Sequence, residues 1–377
     1  MQAEQIERLV EAFAVIPDPR VQGRTDYSLT EILVMAVCAV LSGADSFTEI
    51  ALWSEIRQEW LRRYLKLEHG IPSHDTFGRV FSLLDSKEFE KGFRRWVGCL
   101  LPALAEEPLI AIDGKTLRRS GGLGGSCLHL VSAFCTEVGL VLGQVKTKEK
   151  SNEKTAIPEL LDTLKLKGAT VSIDAMGTQP NIAARIRQRG GDYVLAVKDN
   201  QQKLHEAITE FFDTAQQEHW RGVNYATFET IEKDHGRIET RRYWVVDHVD
   251  SLPHSERWEG LRTFGIVEAT RERQGRSSTE RRAYISSMPL DAKRFARSVR
   301  THWEIENRLH WCLDVVFNED QIRARVKNAA QNLAVIRRIA LNLLRQDKKT
   351  KVGLKAKRFI AANSETYLPT LLGLTAV

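Results

Sequence analysis

The sequence contains little cysteine and no long apolar run, and both absences narrow the class of protein. Its five cysteines form no CxxC pair and show no zinc-like spacing, which favours reduced thiols over a disulfide framework. The longest apolar run, Ile32–Leu41, is too short to cross a bilayer and fits a buried helix. The polar, mixed-charge start does not look like a secretory signal. We therefore expect a cytoplasmic protein that does not enter a membrane.

Composition and length indicate an ordinary globular protein with a weak basic bias. Hydrophobic residues make up 42% of the chain and charged residues 28%, as in typical globular proteins. The formal net charge of +6 points only weakly to a polyanionic partner. A chain of 377 residues exceeds what a single core usually holds, so we expect two or three domains.

Residues 1–104 are predicted to form an all-helical N-terminal domain. Apolar residues recur at helical spacing after Ser28 and again within Thr48–Tyr64, and Ser73 is a candidate cap for a third helix. Short helices joined by tight turns suit a helix-turn-helix that reads DNA. They suit a plain helical packing domain equally well.

The residues from 105 to 325 have the pattern of an α/β domain. Short apolar runs alternate with amphipathic helices, which predicts a mixed sheet with helices packed on it. The predicted strands are Leu109–Ile112, Cys127–Phe134, Leu140–Val145, Thr170–Ile173 and Tyr193–Val197, and the predicted helices run through Ile157–Leu164 and Pro180–Arg189.

Two further segments complete the predicted organisation. Residues 203–287 turn from helical to β-like and are predicted to form an inserted β-rich subdomain, with a basic loop at Arg271–Arg282. Residues 326–377 are predicted to be a helical, basic C-terminal tail, in which Lys348, Lys349 and Lys351 are candidates for contact with DNA. These lysines belong to the charge run Lys348–Arg358, which has six basic residues and no acid. The alternative interpretation of this run is a solvated tail.

Two aspartates stand at the ends of predicted strands. Asp113 closes the run Leu109–Ile112, and Asp174 closes Thr170–Ile173. The carboxyl ends of strands in open α/β sheets face the crevice where ligands bind. Neighbouring carboxylates repel unless a cation neutralises them, and Mg²⁺ or Mn²⁺ prefers oxygen ligands. The alternative for either aspartate is a capping or turn-starting residue.

A third carboxylate is expected from the helix that follows Asp291. At roughly 100° per residue, Glu306 falls about 20° from the apolar residues Phe295 and Val299, whereas Glu304 falls on the opposite face. We therefore expect Glu306 to be carried toward the sheet and Glu304 to face water. Two ions about 4 Å apart, held by the three carboxylates, would catalyse in-line phosphoryl transfer.

At these residues the chain resembles the H-repeat-associated transposases of bacterial insertion sequences, a branch of the DDE transposases with a ribonuclease-H-like core. The matching stretches cover nearly the whole chain. They are Gly70–Phe77, Ile110–Leu117, Lys150–Glu159, Asp174–Gly177, Gly191–Lys198, His235–Glu239, His302–Asn307, Leu309–Val315 and Asn318–Asp320.

The resemblance implies that Asp113, Asp174 and Glu306 form a catalytic triad that holds two Mg²⁺ or Mn²⁺ ions. It also implies a helical N-terminal domain and a β insertion before the last acid. Related families carry an arginine four residues before this glutamate and a lysine seven residues after it. Here those places hold His302 and Leu313, although His302 can still donate to a phosphate or to Glu306.

Several basic side chains are weaker candidates for contact with DNA. Lys115 lies on the same strand face as Asp113 and either contacts the scissile phosphate or forms an ion pair with a nearby acid. Lys198, at the end of another strand, has the same two interpretations. His235 and Arg237 either contact DNA or belong to an exposed turn.

One further set of residues has the spacing of a zinc site, but we disfavour that interpretation. His302, Glu306 and His310 are spaced by four residues, as metal ligands on one helix face would be. The zincin order HExxH is absent, so we expect no zinc.

The sequence therefore predicts a DNA transposase that binds the two ends of its element and works as a homodimer or larger complex. In a bacterial cell it would be cytoplasmic and nucleoid-associated when bound to double-stranded DNA. Two alternatives remain open. One is a non-catalytic DNA-binding protein that retains a transposase fold, and the other is a stand-alone metal-dependent nuclease.

Overall fold

The first part of the chain is helical, as its apolar spacing predicts. The computed structural model describes residues 4–21, 23, 25–100, 107–121, 126–147, 153–234 and 236–373. Its first six helices are α1 (Glu4–Ala14), α2 (Leu29–Leu41), α3 (Phe47–Ile56), α4 (Gln58–Leu61), α5 (His74–Leu83) and α6 (Ser86–Leu100).

The ends of these helices follow from local chemistry. Ser73 caps α5 by accepting a hydrogen bond from the Thr76 amide at 3.3 Å, as predicted. Ser28 occupies the cap position of α2 without a side-chain bond. The helix predicted over Thr48–Tyr64 is divided at Arg57 into α3 and α4.

A mixed sheet of nine strands forms the centre of the α/β part. Its order is β3-β2-β1-β4-β5-β9-β8-β7-β6, in which β1, β4 and β5 are parallel and the other neighbours are antiparallel. The strands are β1 (Leu109–Leu117), β2 (Leu128–Cys135), β3 (Leu140–Thr147), β4 (Thr170–Ile173), β5 (Asp192–Val197), β6 (Tyr225–Asp234), β7 (Arg237–Val246), β8 (Thr263–Arg273) and β9 (Arg276–Ser286). Between them lie α7 (Glu153–Asp162), α8 (Pro180–Gln188) and α9 (Gln202–Gln217).

The predicted insertion is not a separate β subdomain, because β9 pairs with β5 and extends the central sheet. Strand β6 was not predicted, since its residues are largely exposed and lack a clear apolar alternation. The basic stretch Arg271–Arg282 is not a loop. It forms the turn end of the β8–β9 hairpin, whose two turn residues, Gln274 and Gly275, both have positive φ angles.

Helices return after the sheet. They are α10 (Ala292–His302), capped by Asp291, then a π-helical segment (Ile305–His310), α11 (Trp311–Val315), α12 (Ala329–Gln346), α13 (Leu354–Asn363) and α14 (Tyr367–Leu372). Among the described helices, none is both long and apolar enough to cross a bilayer.

Three helices, α12, α13 and α14, occupy most of the predicted helical, basic C-terminal segment. Helix α12 is buried along nearly all its residues and packs against α2, α5, α6 and β3. It is anchored by Asn342, whose side chain accepts from the Val141 amide and donates to the Val141 carbonyl, both at 2.9 Å. Lys357 and Arg358 are buried and donate to backbone carbonyls. Lys348, Lys349 and Lys351 are exposed, as a DNA contact or a solvated surface requires.

The Asn342 contact generates a stability prediction. Asn342→Ala leaves both the amide and the carbonyl of Val141 buried without their partner, so we expect it to lower the free energy of unfolding by about 2–5 kcal/mol. The matched control is Asn363→Ala, because Asn363 is exposed and bonds only locally to the Phe359 carbonyl. Urea denaturation compares the two variants, and an equal effect would contradict the anchoring role of Asn342.

Candidate carboxylate site

The two predicted aspartates lie next to each other on parallel strands. Ile112 of β1 is paired with Ile173 of β4, so Asp113 and Asp174 occupy equivalent positions one residue later. Strand β4 ends there, whereas β1 continues to Leu117. Asp174 also caps a 3₁₀ turn, accepting from the Gly177 amide at 3.2 Å. The capping alternative for Asp174 is thus a local role that coexists with its place at the sheet edge.

Glu306 joins the two aspartates around one cavity of about 140 Å³. Asp113 enters from β1, Asp174 follows β4, and Glu306 comes from the π-helical segment after α10. Ser172, Lys198, Arg282, Tyr284, His302 and Trp303 complete its polar and aromatic lining. A larger cavity of about 690 Å³ lies between α3, α5 and residues 318–333. None of the three acids lines this larger cavity, so the smaller one is the candidate site.

Burial and repulsion perturb both aspartates. Burial, followed by the charge of Asp174, raises the pKa of Asp113 to about 7, and Glu153 and Glu306 add to the effect. Burial also raises the pKa of Asp174, with a smaller contribution from Glu153, while Lys198 opposes the shift. The two aspartates therefore do not both ionise freely near neutral pH unless a cation joins them.

The helical-face argument for Glu306 is only partly correct. Glu306 lines the cavity together with Val299, and Glu304 points elsewhere, forming an ion pair with Arg308. However, Glu306 is exposed, and the buried stripe of this segment consists of Ile305 and Leu309. A π-helical turn takes more residues than an α-helical one, so it shifts the apolar stripe relative to the pattern of a continuous α-helix.

The donor atoms suit a hard divalent cation. Carboxylate oxygens are what Mg²⁺ and Mn²⁺ prefer, and burial, followed by the charge of Asp174, raises the pKa of Asp113. As the side chains stand, no group of three or more His, Cys, Asp or Glu residues in the described part of the chain is close enough to hold an ion. Metal binding would therefore require at least one carboxylate to rotate inward.

His302 does not supply a positive charge to the cavity. Burial lowers its pKa to about 4, so the ring is neutral at pH 7. Its Nδ1 lies 3.1 Å from the Ser172 hydroxyl of β4. His302 therefore ties α10 to the strand that carries Asp174.

Lys115 forms ion pairs with nearby acids, the second of its two predicted roles. It is buried, and its Nζ lies 2.6 Å from Asp314, 2.9 Å from Asp320 and 3.7 Å from Glu319. Fully buried Glu319 is in turn paired with fully buried Arg338 of α12 at 2.6 Å. With its ammonium enclosed by three acids, Lys115 is not available to a scissile phosphate. It instead links the Asp113 strand to the helices that follow Glu306.

Two histidines near the aspartates were not assigned to the site from sequence. His310 Nδ1 lies 3.4 Å from Asp113 Oδ2, and burial lowers its pKa to about 3. On the other face of β1, buried His129 and Glu153 are hydrogen-bonded at 2.6 Å beneath Gly114. A Cβ at Gly114 would collide with both of them. This close approach explains a glycine directly after Asp113.

The remaining predicted residues lie apart from these acids, except Lys198. Lys198 is exposed and lines the cavity. Arg237 begins β7, is paired with Glu239 at 3.1 Å and does not line it. His235 lies outside the described residues. The sequence predicted Arg282 only as part of a basic stretch. Arg282 and Tyr284 lie two residues apart on β9, so their side chains share one face of the strand, and this spacing could have indicated that Arg282 lines the cavity.

Comparisons with known proteins identify the family of this chain. A family model described as DDE_Tnp_1-associated matches residues 10–97, and one described as Transposase DDE domain matches residues 104–343. The second match contains all three acids.

Similar proteins carry corresponding names. The chain is 44% identical to "Putative transposase YncI" of Escherichia coli O157:H7, over 97% of this chain and 95% of that protein. It is 40% identical to "H repeat-associated putative transposase YhhI" of Escherichia coli K12, over 98% of each. It also resembles a piggyBac transposase in a synaptic complex with hairpin DNA, at a TM-score of 0.44 and 11% identity, over 97% of this chain and 78% of that one. The chain therefore belongs to the DDE transposase family, among the H-repeat-associated transposases.

Proposed function

We propose that this protein is a DNA transposase that binds the ends of its element, cleaves them and joins the 3′ ends to target DNA. The observation that carries the proposal is the convergence of Asp113, Asp174 and Glu306 on one cavity. Family membership supports the same chemistry. We also infer that β1 to β5 form a ribonuclease-H-like core, supported by the order β3-β2-β1-β4-β5 with three parallel strands. Strands β6 to β9 are then the insertion before the last acid.

Asp113, Asp174 and Glu306 would hold the metal ions through their carboxylate oxygens. When bound, the divalent ions activate water or a 3′-hydroxyl and stabilise the leaving oxygen of an in-line displacement. The neighbouring histidines, His302 and His310, are neutral at pH 7 and so do not compete with a cation for the carboxylates. Lys115 and His302 act as positioning residues, because each ties an element that carries an acid to its neighbour.

DNA would reach the cavity over basic surface. Exposed Lys198 lies at its mouth, and Lys348, Lys349 and Lys351, in the connection between α12 and α13, offer further phosphate contacts. The helices α1 to α6 are a candidate end-binding module. Because such contacts release counterions, binding should weaken steeply with salt. Joining two ends implies a dimer or larger assembly at work.

The alternatives differ in their products. A non-catalytic DNA-binding protein would bind the element ends and leave them intact, and a stand-alone nuclease would nick without joining. Incubation of the protein with Mg²⁺ and the DNA that flanks its coding region, followed by mapping of nicks and joined strands, separates the three.

Glu306→Ala is expected to abolish cleavage while leaving DNA binding intact. Loss of one of three carboxylates should reduce the cleavage rate by at least ~10²-fold. The matched control is Glu304→Ala, which removes only a half-exposed ion pair with Arg308 and should retain activity. Active Glu306→Ala together with inactive Glu304→Ala would show that the wrong glutamate has been assigned.

Asp113→Asn is expected to stabilise the protein at pH 8 without divalent ions. Since the folded state raises the pKa of Asp113 to about 7 from 3.8, its ionisation disfavours folding increasingly as the pH rises from about 4 to about 7. Above that range the cost is constant and on the order of a few kcal/mol. Thermal unfolding should therefore show a gain at pH 8 that disappears near pH 4.

The same measurement tests metal binding. Millimolar Mn²⁺ should raise the unfolding temperature of the wild type at pH 8 and have little effect on Asp113→Asn. An equal response of the two proteins would place the metal elsewhere.

A further inference from the structure

The carboxylate cavity has two cationic side chains that the mechanism has not used. They are Lys198, directly after β5, and Arg282 of β9. Val197 is paired with Ala283 in the antiparallel register of these strands. Lys198 and Arg282, one residue further, are therefore neighbours across the two strands, and both line the cavity.

The other basic side chains near the acids are not free to bind a phosphate. The Nδ1 of His302 is hydrogen-bonded to the Ser172 hydroxyl at 3.1 Å, and His310 lies against Asp113 and does not line the cavity. The ammonium of Lys115 is enclosed by three carboxylates. A phosphodiester entering a cavity with three acids needs positive charge, and among its described lining only Lys198 and Arg282 supply it.

Arg282 is held on two sides. Its guanidinium lies 4.6 Å from the centre of the Trp303 ring, as in a cation–π contact. Its Nε and Nη2 donate to the two carboxylate oxygens of Glu280 at 2.8 and 3.0 Å. This two-pronged pairing is the geometry in which a guanidinium also binds a phosphate.

Glu280 is easily displaced from this pairing. Its side chain is 44% exposed and that of Arg282 is 24% exposed, and ion pairs so near solvent contribute little stability. Glu280 has a second partner in Arg271, whose Nη1 lies 3.6 Å from it. When Glu280 leaves Arg282 it therefore retains a cation, while Trp303 keeps the guanidinium in place.

We propose that Lys198 and Arg282 form a phosphate-binding subsite at the rim of the carboxylate cavity, in which Glu280 is an exchangeable counter-ion that a DNA phosphate displaces. The inference rests on the proposed function, since that function brings the phosphodiester to the cavity. Lys198 then contacts the phosphate as a point charge and Arg282 through its paired N–H donors.

The test uses the full-length protein and a labelled duplex of the DNA that flanks the coding region. Arg282→Ala should weaken DNA binding and lower the cleavage rate by about 10- to 100-fold, the loss expected for charge-assisted hydrogen bonds. Glu280→Gln keeps the size of the side chain but removes its charge, so it should tighten binding severalfold. In the double variant Arg282→Ala with Glu280→Gln, this gain in DNA binding should disappear, because Arg282 is the cation that Glu280 pairs with.

The matched control is Arg276→Ala, which removes the same charge from an exposed position on the same strand outside the cavity. It should lower binding by much less than Arg282→Ala. Thermal unfolding confirms that each variant is folded, and Glu280→Gln provides a gain that misfolding does not produce.

The possible outcomes separate the subsite from the function. If the wild type cleaves and Arg282→Ala behaves like Arg276→Ala, the subsite is wrong and the transposase activity stands. If Glu280→Gln tightens binding equally with and without Arg282, the counter-ion role is wrong. If Arg282→Ala weakens binding as expected but no protein cleaves with Mg²⁺ or Mn²⁺, the subsite stands and the catalytic proposal fails.

Discussion

The repulsion between Asp113 and Asp174 is the constraint around which the rest of the site is arranged. Parallel pairing of β1 with β4 sets the two carboxylates side by side at the point where β4 ends. Burial makes their charges costly, and the pKa of Asp113 rises to about 7. A site with this excess of negative charge is unfavourable alone and favourable around divalent cations, which is the basis of the phosphoryl-transfer chemistry that we propose for it.

Buried ion pairs keep the elements that carry the acids in place. Lys115 holds the Asp113 strand against Asp314, which lies eight residues after Glu306, and Glu319 continues the network to Arg338 of α12. Breaking such a pair is costly because the remaining charge stays buried. The cationic side chains thus have two roles. Lys115 is enclosed by acids and stabilises the fold. Under our proposal, Lys198 and Arg282 at the rim of the cavity bind the phosphate.

Local patterns were sufficient for the strand that precedes Asp174, predicted as Thr170–Ile173 and found so, and for the cap at Ser73. They failed where long-range packing decides. The partners of Lys115 lie some 200 residues away, so its burial had no local signal. The charge run Lys348–Arg358 suggested a DNA contact or a solvated tail, yet Lys357 and Arg358 are buried and donate to backbone carbonyls. The π-helical turn at Ile305–His310 breaks the period on which the orientation of Glu306 was predicted.

The most direct test of the account is the position of bound Mn²⁺. Crystals of the wild-type protein soaked in Mn²⁺ and recorded near the manganese absorption edge should show two anomalous peaks about 4 Å apart. One should lie between Asp113 and Asp174 and the other between Asp113 and Glu306, with at least one carboxylate rotated inward. Manganese bound elsewhere, with the three acids uncoordinated, would contradict the assignment of the site.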